Sequence, residues 1–395
     1  MAFVGATAIV VGRYFTFAHQ QWSVFMLLGR SSVTNLSALP PNVVVSSKWG
    51  YDGQFYYRLA LNPADLANTA YGITVDTPYR FLRDGYPFLA WLLSFGQHSV
   101  VPLTLIVVNV AAITSMGLTG GILARDSGRN ALWGLLLPGY FGLVTTLSRD
   151  TAEAVGAAFL VAGLVALRRT DTRPRRPVLA GLLLGYGSIS RETAIIVPIA
   201  CLAVRLAGLV RRPWPGGPRP WRPVRDDLSW AIPIAMFTAW QVIIYAATGS
   251  VALLADKGAN AGMPFAAPAR AIAWNFGHLS FQSVSFTDEW ALEFILLAFV
   301  AVCALASLRS TSAPVYERVA LIIYIFEICV VTPSTWSSLT ADMRSFIEVW
   351  LIGLLILFGT KRRPLTSPLA YRLPAIAILL VPVLADVIFR RMTGT

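Results

Sequence analysis

Long apolar runs alternate with short polar segments along most of this chain, and the pattern predicts a bundle of helices. Many of the runs approach the roughly 20 residues that a helix needs to cross a bilayer. We therefore predict an all-α polytopic membrane protein that forms a single integral-membrane domain over residues 1–395. About eleven transmembrane helices are predicted, at residues 2–18, 100–123, 131–147, 152–167, 178–190, 193–210, 229–248, 290–308, 316–333, 345–359 and 369–389.

A long polar and aromatic segment, residues 19–98, follows the first span and is predicted to be the first external loop. Apolar residues recur at helical spacing between Phe81 and Phe95, which indicates an amphipathic helix at the membrane surface. Extracytoplasmic juxtamembrane helices are therefore expected in this loop.

Three other polar segments interrupt the apolar pattern. Residues 249–288 have little apolar character and are predicted to form an external loop and a candidate lid, because long loops in compact proteins are usually functional or disordered. The Pro- and Arg-rich residues 211–228 are predicted to be a cytoplasmic linker. Arg191 and Glu192 lie between two short apolar runs, which predicts two half-buried helices that meet at a polar turn.

The composition agrees with a membrane protein and orients it. The chain is 56% hydrophobic and 13% charged, whereas a soluble domain carries about 25% charged residues. With the N-terminus in the cytoplasm, the predicted cytoplasmic segments hold 19 of the 32 Lys and Arg residues and five acids. Since Lys and Arg concentrate in cytoplasmic loops, the net charge of +12 reflects topology and does not indicate nucleic-acid binding.

The cysteines and histidines give no sign of a metal or cofactor. Cys201, Cys303 and Cys329 all lie inside apolar runs, without metal-type spacing to each other or to a histidine. They are predicted to be small core residues, and a structural disulfide is not expected. We predict no cofactor and no metal.

The segment from Trp49 to Ala60 carries one carboxylate, one guanidinium, two glycines and five aromatic rings. Gly50 and Gly53 flank Asp52 and allow a tight turn there. An acid on an aromatic turn at a membrane edge suits a sugar-handling site. An interfacial loop is the alternative, because Trp and Tyr concentrate at membrane interfaces anyway.

The predicted orientation gathers polar groups from at least five segments on the external face. Ionisable residues near a membrane usually face a cavity and a partner. Some of these charged residues could instead have a structural role as helix caps or local ion pairs, since Asp is a favoured helix cap. The arginines could bind a ligand, because arginine suits bidentate phosphate recognition. The residues are Asp52, Arg80, Arg83, Asp84, Arg149, Asp150, Glu153, Arg191, Glu192, Lys257, His278, Asp342 and Arg344.

The run Tyr51-Asp52-Gly53-Gln54-Phe55-Tyr56-Tyr57-Arg58-Leu59-Ala60 resembles the first external loop of GT-C type integral-membrane glycosyltransferases. The resemblance is to a bacterial branch linked to cell-surface glycopolymer formation. It extends to three further blocks, so that it covers roughly the first half of the chain. These blocks are Arg83-Asp84-Gly85-Tyr86-Pro87-Phe88-Leu89-Ala90-Trp91, Ser148-Arg149-Asp150-Thr151-Ala152-Glu153 and Ser190-Arg191-Glu192-Thr193-Ala194.

The resemblance implies a glycosyltransferase of the bacterial inner membrane that acts on the extracytoplasmic side. It implies a polyprenyl-phosphate-linked sugar as donor, a glycan or glycolipid of the cell envelope as acceptor, and Asp52 as the general base. Burial beside aromatic rings is expected to raise the pKa of Asp52. The paired acidic motif of some branches is absent, because Gly53 follows Asp52, which argues against a metal-dependent scheme.

Arginines near the membrane surface are expected to hold the lipid phosphate. Arg191 and Arg344 are the first candidates, by charge and predicted side, followed by Arg80, Arg83 and Arg149. The remaining predicted substrate contacts are Tyr51, Gln54, Tyr57, Arg58, Asp150, Glu153, Glu192, His278 and Asp342.

Two other functions stay open at this point. A transporter or flippase of a lipid-linked glycan would also need arginines and aromatic rings, but it should show internal repeats and broken helices near the midplane. No convincing repeat is visible in this sequence. A non-catalytic scaffold of the cell envelope would not need Asp52 in a defined turn.

Overall fold

Helices make up most of the computed structural model, which describes residues 1–47, 49–169, 175–210, 224–255, 262–280, 285–337, 343–360 and 372–393. The helices are α1 (Ala2–Thr16), α2 (Gly53–Leu61), α3 (Gly85–Leu93), α4 (Val101–Asp126), α5 (Gly142–Arg149), α6 (Glu153–Leu167), α7 (Arg176–Ser190), α8 (Ile196–Val210), α9 (Leu228–Thr248), α10 (Ala266–Gly277), α11 (Phe286–Ser307), α12 (Val315–Val330), α13 (Ile347–Phe358) and α14 (Arg372–Thr393).

Four two-residue strands form two small sheets within residues 19–98. Strand β1 (Leu28–Gly29) pairs in parallel with β2 (Val45–Ser46), and Leu28 lies opposite Val45. Strand β3 (Thr69–Ala70) pairs antiparallel with β4 (Ile73–Thr74). These sheets tie down the long segment that precedes and follows α2.

Each of the eleven predicted spans contains a helix. Within the described residues, four helical stretches are long and apolar enough to cross a membrane by length and composition. These four are Val101–Asp126, Arg225–Thr248, Phe286–Ser307 and Arg372–Met392. Helices α1 and α6 are shorter apolar helices. The number of eleven crossings therefore stays a prediction.

The predicted span 131–147 is not one continuous helix. A 3-10 turn covers Ala131–Leu136, and α5 begins at Gly142. Pro138 and Gly139 lie in the gap, where proline lacks a backbone donor and glycine is a poor helix former. The short α5 that results ends next to the polar residues of the site described below.

Helix α13 is the centre of the bundle, and all twelve of its residues are buried. It packs against α4, α6, α11 and α12. A helix that is apolar on every side is expected in such a position. Its first turn therefore lies inside the protein, where Glu348 requires a partner for its charge.

Two predicted segments differ in detail from the structure. The helix expected between Phe81 and Phe95 is split into a 3-10 turn, Pro78–Arg83, and α3, with Asp84 between them. The predicted loop 249–288 contains α10, whose sequence is rich in alanine, the strongest helix former.

In the predicted linker, residues 211–223 lie outside the described residues, and a 3-10 turn at Arg225–Asp227 leads into α9.

The polar break between α7 and α8 is confirmed. Arg191 is extended, with φ −156° and ψ 117°, and a 3-10 turn at Glu192–Ile195 follows it before α8 begins. This break brings Arg191 next to residues of α6 and α13, and Glu192 next to the turn at Pro78–Arg83.

Candidate active site

Asp52 lies immediately before α2 and binds two arginines. Its side chain makes no cap hydrogen bond to the helix that follows. Instead, Oδ1 lies 2.9 Å from Nη1 of Arg80, and Oδ2 accepts a hydrogen bond from Nη2 of Arg344. The Asp52 side chain is 18% exposed, so one edge of this ion pair can be reached from outside.

Gly53 allows the Asp52 turn to pack against the end of α5. A Cβ atom at this position would lie 2.2 Å from the carbonyl oxygen of Arg149 and 2.9 Å from that of Met26. Contacts below 3.0 Å are not tolerated, so glycine is needed here for close approach and not for the backbone freedom of a tight turn that the sequence suggested. This contact fixes Asp52 beside the polar end of α5.

Glu153, in the first turn of α6, is surrounded by three guanidinium groups. Its Oε1 lies 2.8 Å from Nη1 of Arg344, 3.2 Å from Nη1 of Arg191 and 3.6 Å from Nη1 of Arg83. Gly156, one turn later, leaves room for Arg191, because a Cβ there would lie 2.5 Å from the Arg191 Cβ. Glu153 therefore joins arginines from three separate segments.

Glu192 forms a bidentate ion pair with Arg83. Nε and Nη2 of Arg83 lie 2.9 and 2.7 Å from the two carboxylate oxygens of Glu192. The Tyr79 hydroxyl donates to the same carboxylate, and Arg83 also donates to the Tyr56 hydroxyl at 3.2 Å. Two tyrosines of residues 19–98 are thus part of this arrangement.

Arg191 pairs with Glu348 of α13. Nε of Arg191 lies 2.5 Å from Oε1 of Glu348, and the hydroxyl of Thr193 donates to the same oxygen at 2.6 Å. Nη2 donates to the Ser345 carbonyl at 2.7 Å. We call the following eight residues the ion network: Asp52, Glu153, Glu192, Glu348, Arg80, Arg83, Arg191 and Arg344. At its exposed edge Arg80 also pairs with a further acid, Asp76, whose carboxylate lies 3.0 Å from Nε.

The balance of charge in this network bears on two expectations from the sequence. Five arginines were expected to hold a phosphate, but the four in the network already have carboxylate partners here. Burial alone would raise the pKa of Asp52, but Arg80 and Arg344 outweigh it and hold the pKa well below its usual range. The expected upward shift is therefore wrong for this state, in which Asp52 is ionised and a weak base.

The same logic applies to Glu192. Burial would raise the pKa of its carboxyl, but the Arg83 guanidinium lowers it to about 2. Both Asp52 and Glu192 are thus charged at neutral pH.

Among the described residues, no group of three or more His, Cys, Asp or Glu side chains is arranged to hold a metal ion.

The Tyr51 ring faces two arginines at the edge of the network. The guanidinium carbon of Arg344 lies 5.0 Å from the ring centre and that of Arg149 lies 5.7 Å from it. Arg80 is placed similarly over the Phe55 ring, at 4.7 Å. Cation–π contacts of this kind hold a guanidinium in place without neutralising its charge.

Asp150 is buried and is not the N-cap of α6, which is Ala152. It is the C-cap residue of α5 and lies in the left-handed region, with φ 50°. Neither of its carboxylate oxygens has a hydrogen-bond partner among the described residues. Burial raises the pKa of this carboxyl well above its usual value, against the opposing charge of Arg13.

Gln54 and Arg58 belong to the run that carries the resemblance, yet they face away from the ion network. Gln54 Oε1 accepts a hydrogen bond from the Gly29 amide at 3.1 Å. Arg58 donates to the backbone carbonyls of Asp65 and Ala67 and lies 3.4 Å from the Asp65 carboxylate. Both side chains hold the external loop together, so we leave them out of the proposed site.

Three further predicted contacts lie elsewhere. Tyr57 lines a separate cavity, which is described below. His278, at the end of α10, stacks on Trp274 and interacts with its carbonyl oxygen at 2.7 Å. Asp342 and Lys257 lie outside the described residues.

Glu348 and Tyr79 also belong to this site but were not predicted from the sequence. Glu348 had a signal, because a lone acid in an apolar span usually faces a partner inside the protein. Tyr79 had none, because aromatic residues are common throughout this loop and only the fold selects those that meet Arg83.

Comparisons with known proteins give little beyond this geometry. No protein-family model matches the chain. No curated protein sequence matches it. Among solved structures, the chain is similar to the crystal structure of the Archaeoglobus fulgidus oligosaccharyltransferase tethered through a disulfide bond to an acceptor peptide with the NVT sequon, with 13% identity and a TM-score of 0.46. The match covers 98% of this chain and 55% of that one, so the chain spans about half the length of that structure.

Proposed function

We propose that this chain is a GT-C type glycosyltransferase of the bacterial inner membrane. It moves a sugar from a polyprenyl-phosphate carrier to a glycan or glycolipid of the cell envelope on the extracytoplasmic side. The observation that carries the proposal is Asp52, a partly exposed carboxylate between Arg80 and Arg344. In this arrangement Asp52 serves as the base, and Arg80 and Arg344 hold the donor phosphate.

Donor binding would convert Asp52 from an ion-pair partner into a base. A phosphate offers arginine the same bidentate geometry as a carboxylate, so the donor phosphate competes with Asp52 for Arg344 and Arg80. Once these two charges are shared with phosphate, the pKa of Asp52 rises towards that of a buried carboxyl. Asp52 is then able to accept the proton of the acceptor hydroxyl.

The arginines stabilise the leaving group in this scheme. Negative charge grows on the carrier phosphate as its bond to the sugar breaks, and Arg344 lies ready to match it. Glu153 keeps Arg344 in position from the other side, 2.8 Å away, in the absence of donor. Tyr51, whose ring faces Arg344 and Arg149, is placed to stack on the sugar.

Genetic complementation tests the proposal in cells. The gene is deleted and complemented with the wild type or with Asp52→Asn, and envelope glycans and lipid-linked sugars are compared by mass spectrometry. We expect loss of one sugar and accumulation of its polyprenyl-phosphate form, with no rescue by Asp52→Asn. Asp126→Asn, which changes an acid of an exposed ion pair, is the matched control and should rescue fully.

Purified protein separates the roles of the two groups. Arg344→Lys keeps the charge but removes the bidentate fork, so it should weaken donor binding, while Asp52→Asn should abolish transfer and leave donor binding intact. Melting curves establish that both variants fold. Transfer by folded Asp52→Asn protein would refute the base assignment, and accumulation of lipid-linked sugar on the cytoplasmic face would favour a flippase.

A further inference from the structure

A second cavity of about 480 Å³ lies in the first external loop, apart from the ion network. The turn around Trp22 forms one wall, the loop around Asn42 a second and the beginning of α4 a third. Tyr57 of α2 and His98 complete it. None of the eight ion-network residues lines this cavity.

The lining of the cavity is polar but uncharged. Among its described lining residues, none is Asp, Glu, Lys or Arg, and the polar groups are amides, hydroxyls and an imidazole. The Tyr57 hydroxyl is fully buried and has no hydrogen-bond partner among the described residues. A buried hydroxyl without a partner costs free energy, so this group favours a ligand that hydrogen-bonds to it.

The walls are held in place by contacts of their own. The Ser23 hydroxyl donates to the Asn42 carbonyl at 3.2 Å and accepts from the Val44 amide at 3.1 Å. Trp22 stacks on Tyr14 of α1, with 3.9 Å between ring centres. The indole is therefore a fixed aromatic wall, and an aromatic ring beside polar uncharged groups suits the face and hydroxyls of a sugar.

An apolar groove of about 560 Å³ continues from this cavity along α1 and α4. Trp22 and Leu103 line both spaces. The rest of the groove is almost entirely apolar and includes Phe3, Val11 and Val107, which are exposed on the surface of the bundle. The polar cavity thus adjoins a groove between two apolar helices.

We infer that these joined spaces bind a membrane glycolipid, with an uncharged sugar head group in the cavity and its hydrocarbon tail in the groove. The two spaces match the two halves of such a molecule, and the lack of a Lys or Arg in the lining favours an uncharged head group over one that carries a phosphate. Tyr57 follows Asp52 by five residues, which is about 7.5 Å of rise along a helix. The further statement that this lipid is the acceptor rests on the function proposed above.

Lipid binding to the full-length protein tests the inference. The protein is placed in phosphatidylcholine nanodiscs that contain monoglucosyl diacylglycerol, and bound lipid is counted by native mass spectrometry. We expect Trp22→Ala to weaken binding roughly tenfold, since an aromatic platform contributes about 1.4 kcal/mol. Leu103→Trp, which fills the junction of the two spaces, should have a similar effect.

Two further variants distinguish the loss of a lipid contact from damage to the fold. Trp274→Ala is the matched control, because Trp274 also stacks on a ring, at 4.0 Å, but lies on α10 outside the cavity, and it should bind normally. Tyr57→Phe removes a hydroxyl that has no hydrogen-bond partner among the described residues. It should reduce glucosyl-lipid binding several-fold without lowering the melting temperature.

Three results would overturn the inference. These are equal binding of diacylglycerol without a sugar, stronger binding of phosphatidylglycerol, and an equal loss in Trp274→Ala. Failure of the transferase proposal is a separate outcome, because Asp52→Asn should bind the glucosyl lipid normally. Transfer that survives Asp52→Asn, together with binding lost in Trp22→Ala, would refute the base and leave the lipid site standing.

Discussion

Replacing Glu153 by glutamine should destabilise the protein more than any other single neutralisation in the ion network. Glu153 is 1% exposed and faces Arg344, Arg191 and Arg83 within 3.6 Å. Its loss removes one negative charge from a buried cluster and leaves three guanidinium groups around a neutral side chain. Removing one member of a buried ion pair costs about 3–5 kcal/mol.

A double variant shows whether the cost comes from charge balance. Arg344→Gln in the Glu153→Gln background removes one arginine for one acid and so restores the net charge of the wild-type cluster. We expect the double variant to be less destabilised than the sum of the single variants, by about 1–3 kcal/mol of coupling energy. Reversible unfolding in mixed micelles at pH 7, followed by far-UV circular dichroism, measures all three free energies.

An exposed ion pair of good geometry is the control. Nη2 of Arg169 lies 2.6 Å from Oδ1 of Asp126, closer than any arginine to Glu153, but both side chains are about a third exposed. Exposed pairs contribute about 0–1 kcal/mol, so Asp126→Asn should change little. Simple additivity of Glu153→Gln and Arg344→Gln would refute the charge-balance reasoning, and an equal cost for Asp126→Asn would refute the role of burial.

Two further outcomes are expected. Burial raises the pKa of Asp84 to about 8, with Arg58 opposing it, whereas the unfolded carboxyl ionises near pH ~4. The protein therefore loses stability through Asp84 as the pH rises from about 4 to 8. Asp84→Asn should raise the melting temperature more at pH 8 than at pH 5. A difference in melting temperature that does not depend on pH would contradict the raised pKa. Gly53→Ala should destabilise the fold by about 1–3 kcal/mol and reduce transfer, because its Cβ would lie 2.2 Å from the Arg149 carbonyl oxygen. Gly5→Ala is the control, since a Cβ at Gly5 has open space around it, and it should not destabilise the protein. Equal melting temperatures of the two variants would contradict the steric argument.

The sequence was sufficient to bring the main charged groups together. Hydrophobic periodicity located the helices, and the positive-inside rule placed Asp52, Arg80, Arg191 and Arg344 on one predicted face. The structure has all four in one network. Their chemical roles stay predictions, since contacts alone do not reveal which step a group performs.

Side-chain direction and charge pairing could not be read from the sequence. Gln54 and Arg58 are four residues apart and therefore share one face of α2, but only the loop packed on that face shows that both are bound to backbone groups. Glu348 lies in an apolar run, so its position opposite Arg191 depends on how α13 is placed. For the same reason the downward pKa shift of Asp52 could not be foreseen.

The long sequence separations in the ion network bear on how the protein is made. Asp52 and Arg344 are 292 residues apart, and Arg191 and Glu348 are 157 apart. During synthesis Asp52 can pair early with Arg80, but Arg344 and Glu348 join the network only when the segment that leads into α13 has been made. Docking of α13 thus completes the site, and a nascent chain that stops before Arg344 leaves the buried Arg191 without its Glu348 partner, which is costly inside a membrane.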